Sequence, residues 1–203
     1  MRVILSPAID EWGRSRTADL AGRLAGDEGK VMSVRGLSPA AFRRSLSAGE
    51  IHLLRWALLG ADPDLHVRAD EALASVVGYV CAGRRAVSGG IAEAVAVADH
   101  VNLTWRSPLT GVNDDRLGPR FPVVAGIYVP EMVVERVGPG GSPAVGQEVV
   151  AGVRDDRSLL EVELEMVRKQ GLRTVSSELV PVALLAAHMG MRLAAAVVIT
   201  GSD

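Results

Sequence analysis

The stretch Asp99-His-Val-Asn-Leu-Thr104, followed by Ser107-Pro-Leu-Thr-Gly-Val-Asn-Asp-Asp-Arg-Leu-Gly-Pro-Arg-Phe-Pro122, decides how the rest of the chain is interpreted. The apolar run over residues 93–103 is rich in Val and Ala, which predicts a strand buried on both faces. Residues 104–122 are polar and contain three prolines and two glycines. This composition predicts a long loop, either ordered or poorly folded, that follows directly on a buried strand.

Strands and helices alternate downstream of this stretch. We predict a helix over 158–170, a strand from Val175, a helix that Pro181 opens and Gly190 closes, and a last strand over 193–200. Such alternation is typical of an α/β fold, in which a central β-sheet is flanked by helices. Ligands of α/β folds bind at the carboxyl ends of the strands, and we expect a site there.

The pattern upstream is weaker. A short apolar run over residues 3–5 predicts a first strand that ends at Ser6-Pro7, and residues 15–26 favour a helix. We also predict a β-hairpin from 41–46 and 50–59. An amphipathic helix over 70–81 should carry Cys81 in the core and end at Gly83, and a short strand over 85–88 should follow it.

Composition limits the classes of protein to consider. The chain has 203 residues, enough for one domain over 1–203, with 48% hydrophobic, 23% charged and 3% aromatic residues. The net charge of −2 argues against nucleic acid as a partner. One cysteine and four scattered histidines indicate no metal site, and we expect no cofactor. We find no signal peptide or membrane segment and expect a cytoplasmic protein.

The stretch over 99–122 resembles the trimeric purine nucleoside phosphorylase family. A second block resembles the same family at matching spacing; it runs from Gly171 through Val180-Pro181 and His188-Met-Gly-Met-Arg192 to Ile199-Thr200. The resemblance implies the α/β fold of that family, assembly as a homotrimer, and a nucleoside whose N-glycosidic bond is split with phosphate. His100 lies in the first block, where we expect it to form a hydrogen bond rather than to act as a base.

The phosphate site that the resemblance implies is changed in this sequence. The family holds phosphate on a glycine-rich loop after the first strand, where this chain has Ser6-Pro-Ala-Ile9 without the glycines. Arg55 stands where the family has an Arg-His pair. Ser6 and Arg55 are therefore the candidates for binding an anion, and the alternatives are a strand-end cap and an exposed strand residue. We interpret the phosphate site as degraded.

The resemblance also implies a base and sugar pocket. Ser88-Gly89-Gly90 matches an Ala-Gly-Gly turn, Glu161 is the nearest carboxylate to the one that binds the purine, and Thr200-Gly201 follows the last strand. Phe121 matches a residue that caps the ribose of a neighbouring subunit, or else it anchors a loop in its own subunit. Glu161 would look the same on a solvated helix. The family's C-terminal helix has no counterpart, so we expect a divergent, shortened homologue.

Two carboxylates suggest a different chemistry. In related nucleosidases and hexameric phosphorylases, a Glu after a strand binds the ribose hydroxyls, and an Asp after the final strand protonates the purine. In this sequence Glu178, which follows Ser177, stands at a position similar to that Glu, and Asp203 at a position similar to that Asp. Glu178 and Asp203 are thus the candidate catalytic residues. The alternatives are an acid favoured by a helix N-terminus and a frayed chain end.

Three functions stay open at this point. The first is an enzyme that acts on a nucleoside or nucleoside-like ligand, by phosphorolysis or by hydrolysis. The second is a non-catalytic binding or partner subunit, which could assemble with a fuller homologue. The third is a scaffold recruited to a different biosynthetic step.

Overall fold

The computed structural model of the protein describes residues 2–6, 11–27, 30–33, 76–87, 94–113, 115, 118–138 and 145–200. These residues form a mixed α/β structure. In chain order its elements are β1 (Arg2–Leu5), α1 (Glu11–Ala25), β2 (Lys30–Ser33), β3 (Val76–Arg85), β4 (Ala94–Asn102), α2 (Pro130–Val137), β5 (Gly146–Gly152), α3 (Glu161–Lys169), β6 (Thr174–Ser176), α4 (Leu179–His188) and β7 (Arg192–Ile199).

Five of the strands pair in a closed ring. β3 pairs with β7, β7 with β4, β4 with β5, β5 with β6, and β6 returns to β3. The β3–β6 and β4–β7 pairs are antiparallel and the other three are parallel. β1 and β2 extend the sheet outward from β3 as parallel strands. The predicted central mixed sheet flanked by helices is confirmed.

One edge of β3 is shared by two strands. β1 pairs in parallel with Gly78 to Val80, and β6 pairs in the opposite direction with Arg84 and Arg85. The carboxyl ends of β1 and β6 therefore face each other across the short piece of β3 between those pairings. The other edge of β3 is occupied by β7 as far as Gly83.

The two sides of the sheet carry different layers. α4 packs with the Tyr79 and Cys81 side of β3, and α1 and α2 pack with the Val80 side. A third cluster joins α3 to β5 and β6. Eight of the ten residues of α4 are buried. Helices thus cover the sheet on both sides, as the alternating pattern predicts.

Several boundaries differ from those predicted. The helix predicted over 70–81 is wrong from Val76 onward, where the chain forms β3. β3 is buried on both faces, so its apolar residues need no alternation, and some of them recur by chance at helical spacing. Gly83 therefore lies inside a strand and ends no helix. α2 occupies a segment to which the sequence analysis assigned no element. The hairpin over 41–59 lies outside the described residues.

The loop over 104–122 has ordered turns in its described part. The Thr104 hydroxyl donates to Asn102 Oδ1 at 2.6 Å and accepts a hydrogen bond from the backbone N–H of Arg106 at 3.1 Å. Gly118 has a φ of +156°, and a Cβ there would lie 1.9 Å from the His188 carbonyl oxygen. Only glycine fits this contact, so the loop packs closely against the end of α4. Among the described helices, none is both long and apolar enough to cross a membrane.

Gly83 gives a test of this fold. A Cβ at Gly83 would lie 2.5 Å from the Val175 carbonyl oxygen and 2.4 Å from Val197 Cγ1. We predict that Gly83→Ala lowers the free energy of unfolding by about 1–3 kcal/mol, because the β6 backbone cannot move without breaking the ring. Urea denaturation followed by circular dichroism measures the change.

Gly22 in α1 is the matched control. A Cβ at Gly22 meets nothing within 4 Å, so Gly22→Ala should raise stability by about 0.5–1 kcal/mol. A Gly83→Ala variant as stable as the parent protein would contradict the close approach of β3 to β6.

Candidate functional site

A buried polar group fills the space where the ends of β1 and β6 face each other on β3. We call it the strand-gap cluster and define it as Ser6, Tyr79, Cys81, Ser176 and Glu178. All five residues are buried, and they come from three separate segments of the chain. The cluster lies at the carboxyl ends of β1 and β6, where the sequence predicts a ligand site.

A short hydrogen bond joins two of the predicted site residues. The Ser6 hydroxyl donates to Glu178 Oε2 at 2.6 Å, across 172 positions of sequence. Ser6 is fixed by its backbone N–H, which donates to the Val80 carbonyl at 2.9 Å and continues the ladder of β1 by one bond. Glu178 directly precedes α4 and is 1% exposed. A buried carboxylate needs such donors, because burial without them costs several kcal/mol.

Ser176 connects the cluster to the backbone of β3. Its hydroxyl donates to the Ala82 carbonyl at 2.8 Å and accepts the Glu178 backbone N–H at 3.3 Å. The Ala82 carbonyl lies between the parts of the β3 edge that β1 and β6 cover. A side-chain hydroxyl therefore takes the position of a missing strand partner, as a buried carbonyl requires.

Tyr79 and Cys81 carry the titratable groups of the cluster on β3. Burial raises the pKa of the Tyr79 hydroxyl well above its usual value, the Cys81 and Glu178 charges raise it further, and Ser6 acts in the opposite direction. Burial, followed by the Glu178 charge, likewise raises the pKa of the Cys81 thiol well above its usual value. Cys81 is therefore a protonated core residue, as predicted, although it lies on a strand.

Two further predicted residues lie close to the cluster. The Ser177 hydroxyl donates to Asp156 Oδ1 at 2.7 Å, and Asp156 is itself buried. Thr200 follows β7 on the opposite edge of β3, where its backbone N–H donates to the Gly83 carbonyl at 2.9 Å. The sheet thus brings the Ser177 and Thr200 positions to either side of the same part of β3.

Phe121 and Glu161 lie on the surface. The Phe121 side chain is 83% exposed, with the Arg120 guanidinium 5.7 Å from its ring centre. It therefore does not anchor the loop by burial in its own subunit. Glu161 begins α3 and forms an ion pair with Arg168 at 2.7 Å. The hydrogen bond from Arg168 and its positive charge lower the pKa of the Glu161 carboxyl.

The other predicted site residues lie outside the described part of the chain. They are Asp203 and Gly201 at the carboxyl terminus, Ser88, Gly89 and Gly90 after β3, and Arg55 in the predicted hairpin. Their roles stay predictions.

Tyr79 and Ser176 belong to the site although the sequence patterns did not predict them. Tyr79 was hidden by the helix predicted over 70–81, and Ser176 stands beside the singled-out Ser177 with nothing in the sequence to distinguish them. A tyrosine within an apolar run was the available signal, since its hydroxyl needs a partner when buried. No group of three or more His, Cys, Asp or Glu side chains among the described residues could hold a metal ion.

Comparisons with known proteins agree on one fold. No protein-family model matches the chain. Purine nucleoside phosphorylase 1 of Bacillus subtilis (strain 168) is 25% identical over 103 residues, which are 50% of this chain and 38% of that protein. The Schistosoma purine nucleoside phosphorylase in complex with guanosine superposes with a TM-score of 0.55 and 22% identity, over 64% of this chain and 50% of that one.

A second Schistosoma structure extends the likeness along the chain. The purine nucleoside phosphorylase in complex with hypoxanthine superposes with a TM-score of 0.64 and 16% identity, over 100% of this chain and 77% of that one. The chain matches 38% of the length of its curated bacterial relative and half of the guanosine-bound chain. The protein therefore has the mixed α/β fold of the purine nucleoside phosphorylases.

Two buried tyrosines, Tyr79 inside the strand-gap cluster and Tyr128 outside it, test whether the Tyr79 hydroxyl is unpaired. The Tyr79 hydroxyl is buried without a hydrogen-bond partner among the described residues, whereas the Tyr128 hydroxyl lies 2.8 Å from His100 Nδ1. We predict that Tyr79→Phe raises the free energy of unfolding by about 1 kcal/mol, because it removes an unpaired buried hydroxyl, and that Tyr128→Phe lowers it by about 1 kcal/mol. Urea denaturation measures both, and a loss of stability in Tyr79→Phe would contradict the assignment.

His100 gives a pH-dependent prediction. Its hydrogen bond to Tyr128 confirms the expected role, and burial lowers the pKa of the imidazole from 6.5, against the opposing charge of Asp99. The folded protein thus holds His100 neutral at a pH where the unfolded chain binds a proton. The contribution of His100 to the free energy of unfolding is complete above pH 6.5 and is lost as the pH falls below that value. Between pH 7.5 and 5.5, the loss of unfolding free energy should be smaller in His100→Gln than in the parent protein, and an equal loss would contradict the shift.

Proposed function

We propose that this protein binds a nucleoside or nucleoside-like ligand at the strand-gap cluster and cleaves its N-glycosidic bond. The observation that carries the proposal is the buried Glu178 carboxylate, held by Ser6 at 2.6 Å where two strand ends meet. Support for the ligand class comes from the fold, because structures with the same fold were solved with guanosine and with hypoxanthine.

A buried carboxylate suits this chemistry. When an N-glycosidic bond breaks, positive charge develops on the sugar ring while the base leaves with the electron pair. A fixed negative charge in a water-poor site stabilises such a transition state more strongly than solvent does. Glu178 can serve in this way, or it can accept hydrogen bonds from the sugar hydroxyls, as its sequence position suggests. Both uses need the carboxylate where Ser6 holds it.

The remaining roles in the proposal follow the sequence positions. Asp203 protonates the leaving base, and the turn at Ser88, Gly89 and Gly90 lies along the ligand. Further binding residues complete the proposed site: Ser177, Thr200 and Gly201 line the strand ends, Glu161 contacts the base, and Phe121 reaches the ligand of a neighbouring subunit in a homotrimer. We propose no metal or cofactor, no nucleic-acid or membrane partner, and a cytoplasmic location.

A partner subunit without catalysis is the second candidate function. It is favoured by exposed apolar side chains on residues 104–123, where Trp105 is 92%, Val112 99%, Phe121 83% and Val123 78% exposed. Apolar side chains gathered on one loop are typical of a contact surface. Light scattering after size-exclusion chromatography distinguishes a homotrimer from a monomer that awaits a fuller homologue.

Base release from nucleosides tests the leading proposal. Purified protein should release free base from inosine, guanosine or adenosine, as measured by chromatography of the products. Glu178→Gln, which keeps the side-chain shape and removes the charge, should lower the rate about 100-fold or more. Glu135→Gln is the matched control, because Glu135 is an exposed carboxylate on α2, and its rate should equal that of the parent protein.

The proposal has a clear contrary result. If the parent protein releases no base and inosine gives no heat in isothermal titration calorimetry, the protein does not act on nucleosides. Inosine binding without base release would instead favour the non-catalytic binding subunit.

A further inference from the structure

We infer that the Glu178 carboxylate occupies the anion position of the strand-gap cluster, so that water rather than inorganic phosphate attacks the nucleoside. This inference rests on the proposed function and names the second substrate of the same site. It concerns which nucleophile the site accepts, a question that the fold leaves open.

The serine hydroxyls near the anion position already donate their hydrogen bonds within the chain. A serine hydroxyl has a single hydrogen to donate, and that of Ser6 already goes to Glu178 Oε2 at 2.6 Å. The Ser176 hydroxyl hydrogen goes to the Ala82 carbonyl at 2.8 Å. The Ser177 hydroxyl hydrogen goes to Asp156 Oδ1 at 2.7 Å. All three serine hydroxyls near the ends of β1 and β6 therefore donate within the chain, and an incoming phosphate would have to compete for them.

The position before α4 already carries a negative charge. Glu178 directly precedes the ten-residue helix α4, a position where the helix dipole favours a negative group. The chain fills that position with its own carboxylate, which is 1% exposed. A phosphate dianion brought into contact with a buried carboxylate would be repelled at short range in a poorly screened environment. Neutral water meets no such repulsion.

An unpaired hydrogen-bond donor lies in the same cluster as the carboxylate. The Tyr79 hydroxyl is 1% exposed and has no hydrogen-bond partner among the described residues. Burial raises the pKa of this hydroxyl and the Cys81 and Glu178 charges raise it further, which places it in the same cluster. This hydroxyl is unpaired among the described residues of the free protein, and it can pair with the attacking water once the nucleoside is bound. A water between Tyr79 and Glu178 would have a donor on one side and an acceptor on the other.

The reaction that follows is hydrolysis. The water oxygen forms a bond to the anomeric carbon of the sugar, the bond from that carbon to the base nitrogen breaks, and its electron pair leaves with the base. Glu178 accepts a proton from the attacking water, and the base takes up a proton from solvent. The products are free base and free sugar, and no oxidant, reductant or phosphate is consumed.

Phosphate binding tests the inference without any nucleoside. In calorimetric titrations with inorganic phosphate, the parent protein should show no saturable binding up to 10 mM, or roughly 100-fold above a Kd typical of a functional site. Glu178→Ser removes the carboxylate that accepts the Ser6 hydrogen bond, so phosphate binding should appear in this variant. Glu135→Ser is the control and should behave like the parent protein. Saturable binding to the parent protein would overturn the inference.

Product analysis gives an independent reading with inosine as the probe. The parent protein should form ribose and hypoxanthine at a rate that added phosphate does not change, and formation of ribose 1-phosphate would overturn the inference. Tyr79→Phe should lower kcat about 10-fold or more while its midpoint of thermal unfolding does not fall. An unchanged kcat in that variant would overturn the assignment of water to Tyr79.

The two proposals fail in different ways. A protein that neither binds nor cleaves inosine contradicts the proposed function, whatever its response to phosphate. A protein that cleaves inosine only when phosphate is present supports the proposed function and overturns this inference. Since the phosphate titration of the parent protein needs no variant, the test stands even if Glu178→Ser fails to fold.

Discussion

The rest of the structure depends on how one edge of β3 is divided. β1 runs parallel to β3 along this edge, and its pairing ends at Val80. β6 runs antiparallel to β3 and pairs with Arg84 and Arg85. Because β1 covers the amino-terminal part of this edge and β6 the carboxyl-terminal part, the two strands meet at their carboxyl ends. That geometry closes the ring of five strands and also leaves a short piece of β3 backbone without a strand partner.

The polar groups of the cluster follow from this division. A buried carbonyl in the uncovered piece of β3 needs a donor, and the Ser176 hydroxyl supplies it at Ala82. The Ser6 hydroxyl then donates to the buried carboxylate of Glu178 at 2.6 Å. Gly83 lets the backbones of β3 and β6 approach closely enough for these contacts. The site is thus a consequence of strand pairing as much as of residue type.

Sequence patterns predicted the site only in pieces. Ser6 and Glu178 were singled out separately, one for an anion and the other for a sugar, because each stands at a position that the family resemblance marks. Nothing in the sequence shows that they touch, since 172 positions separate them. Tyr79 was misplaced on a helix because a strand buried on both faces lacks the alternation that identifies half-buried strands. His100 was interpreted correctly, because a histidine at the end of a buried strand needs a hydrogen bond wherever its partner lies.

The sequence by itself determined the layers of the fold: alternating apolar and amphipathic segments in the second half require a sheet covered by helices, and glycines and prolines mark where those helices begin and end. Only the tertiary structure decided which strands are neighbours and in which direction they run, because pairing joins backbone groups that any residue carries. The partners of Ser6 and Glu178 depend on that choice. The chemistry of the site is therefore a property of the strand order, which local sequence does not encode.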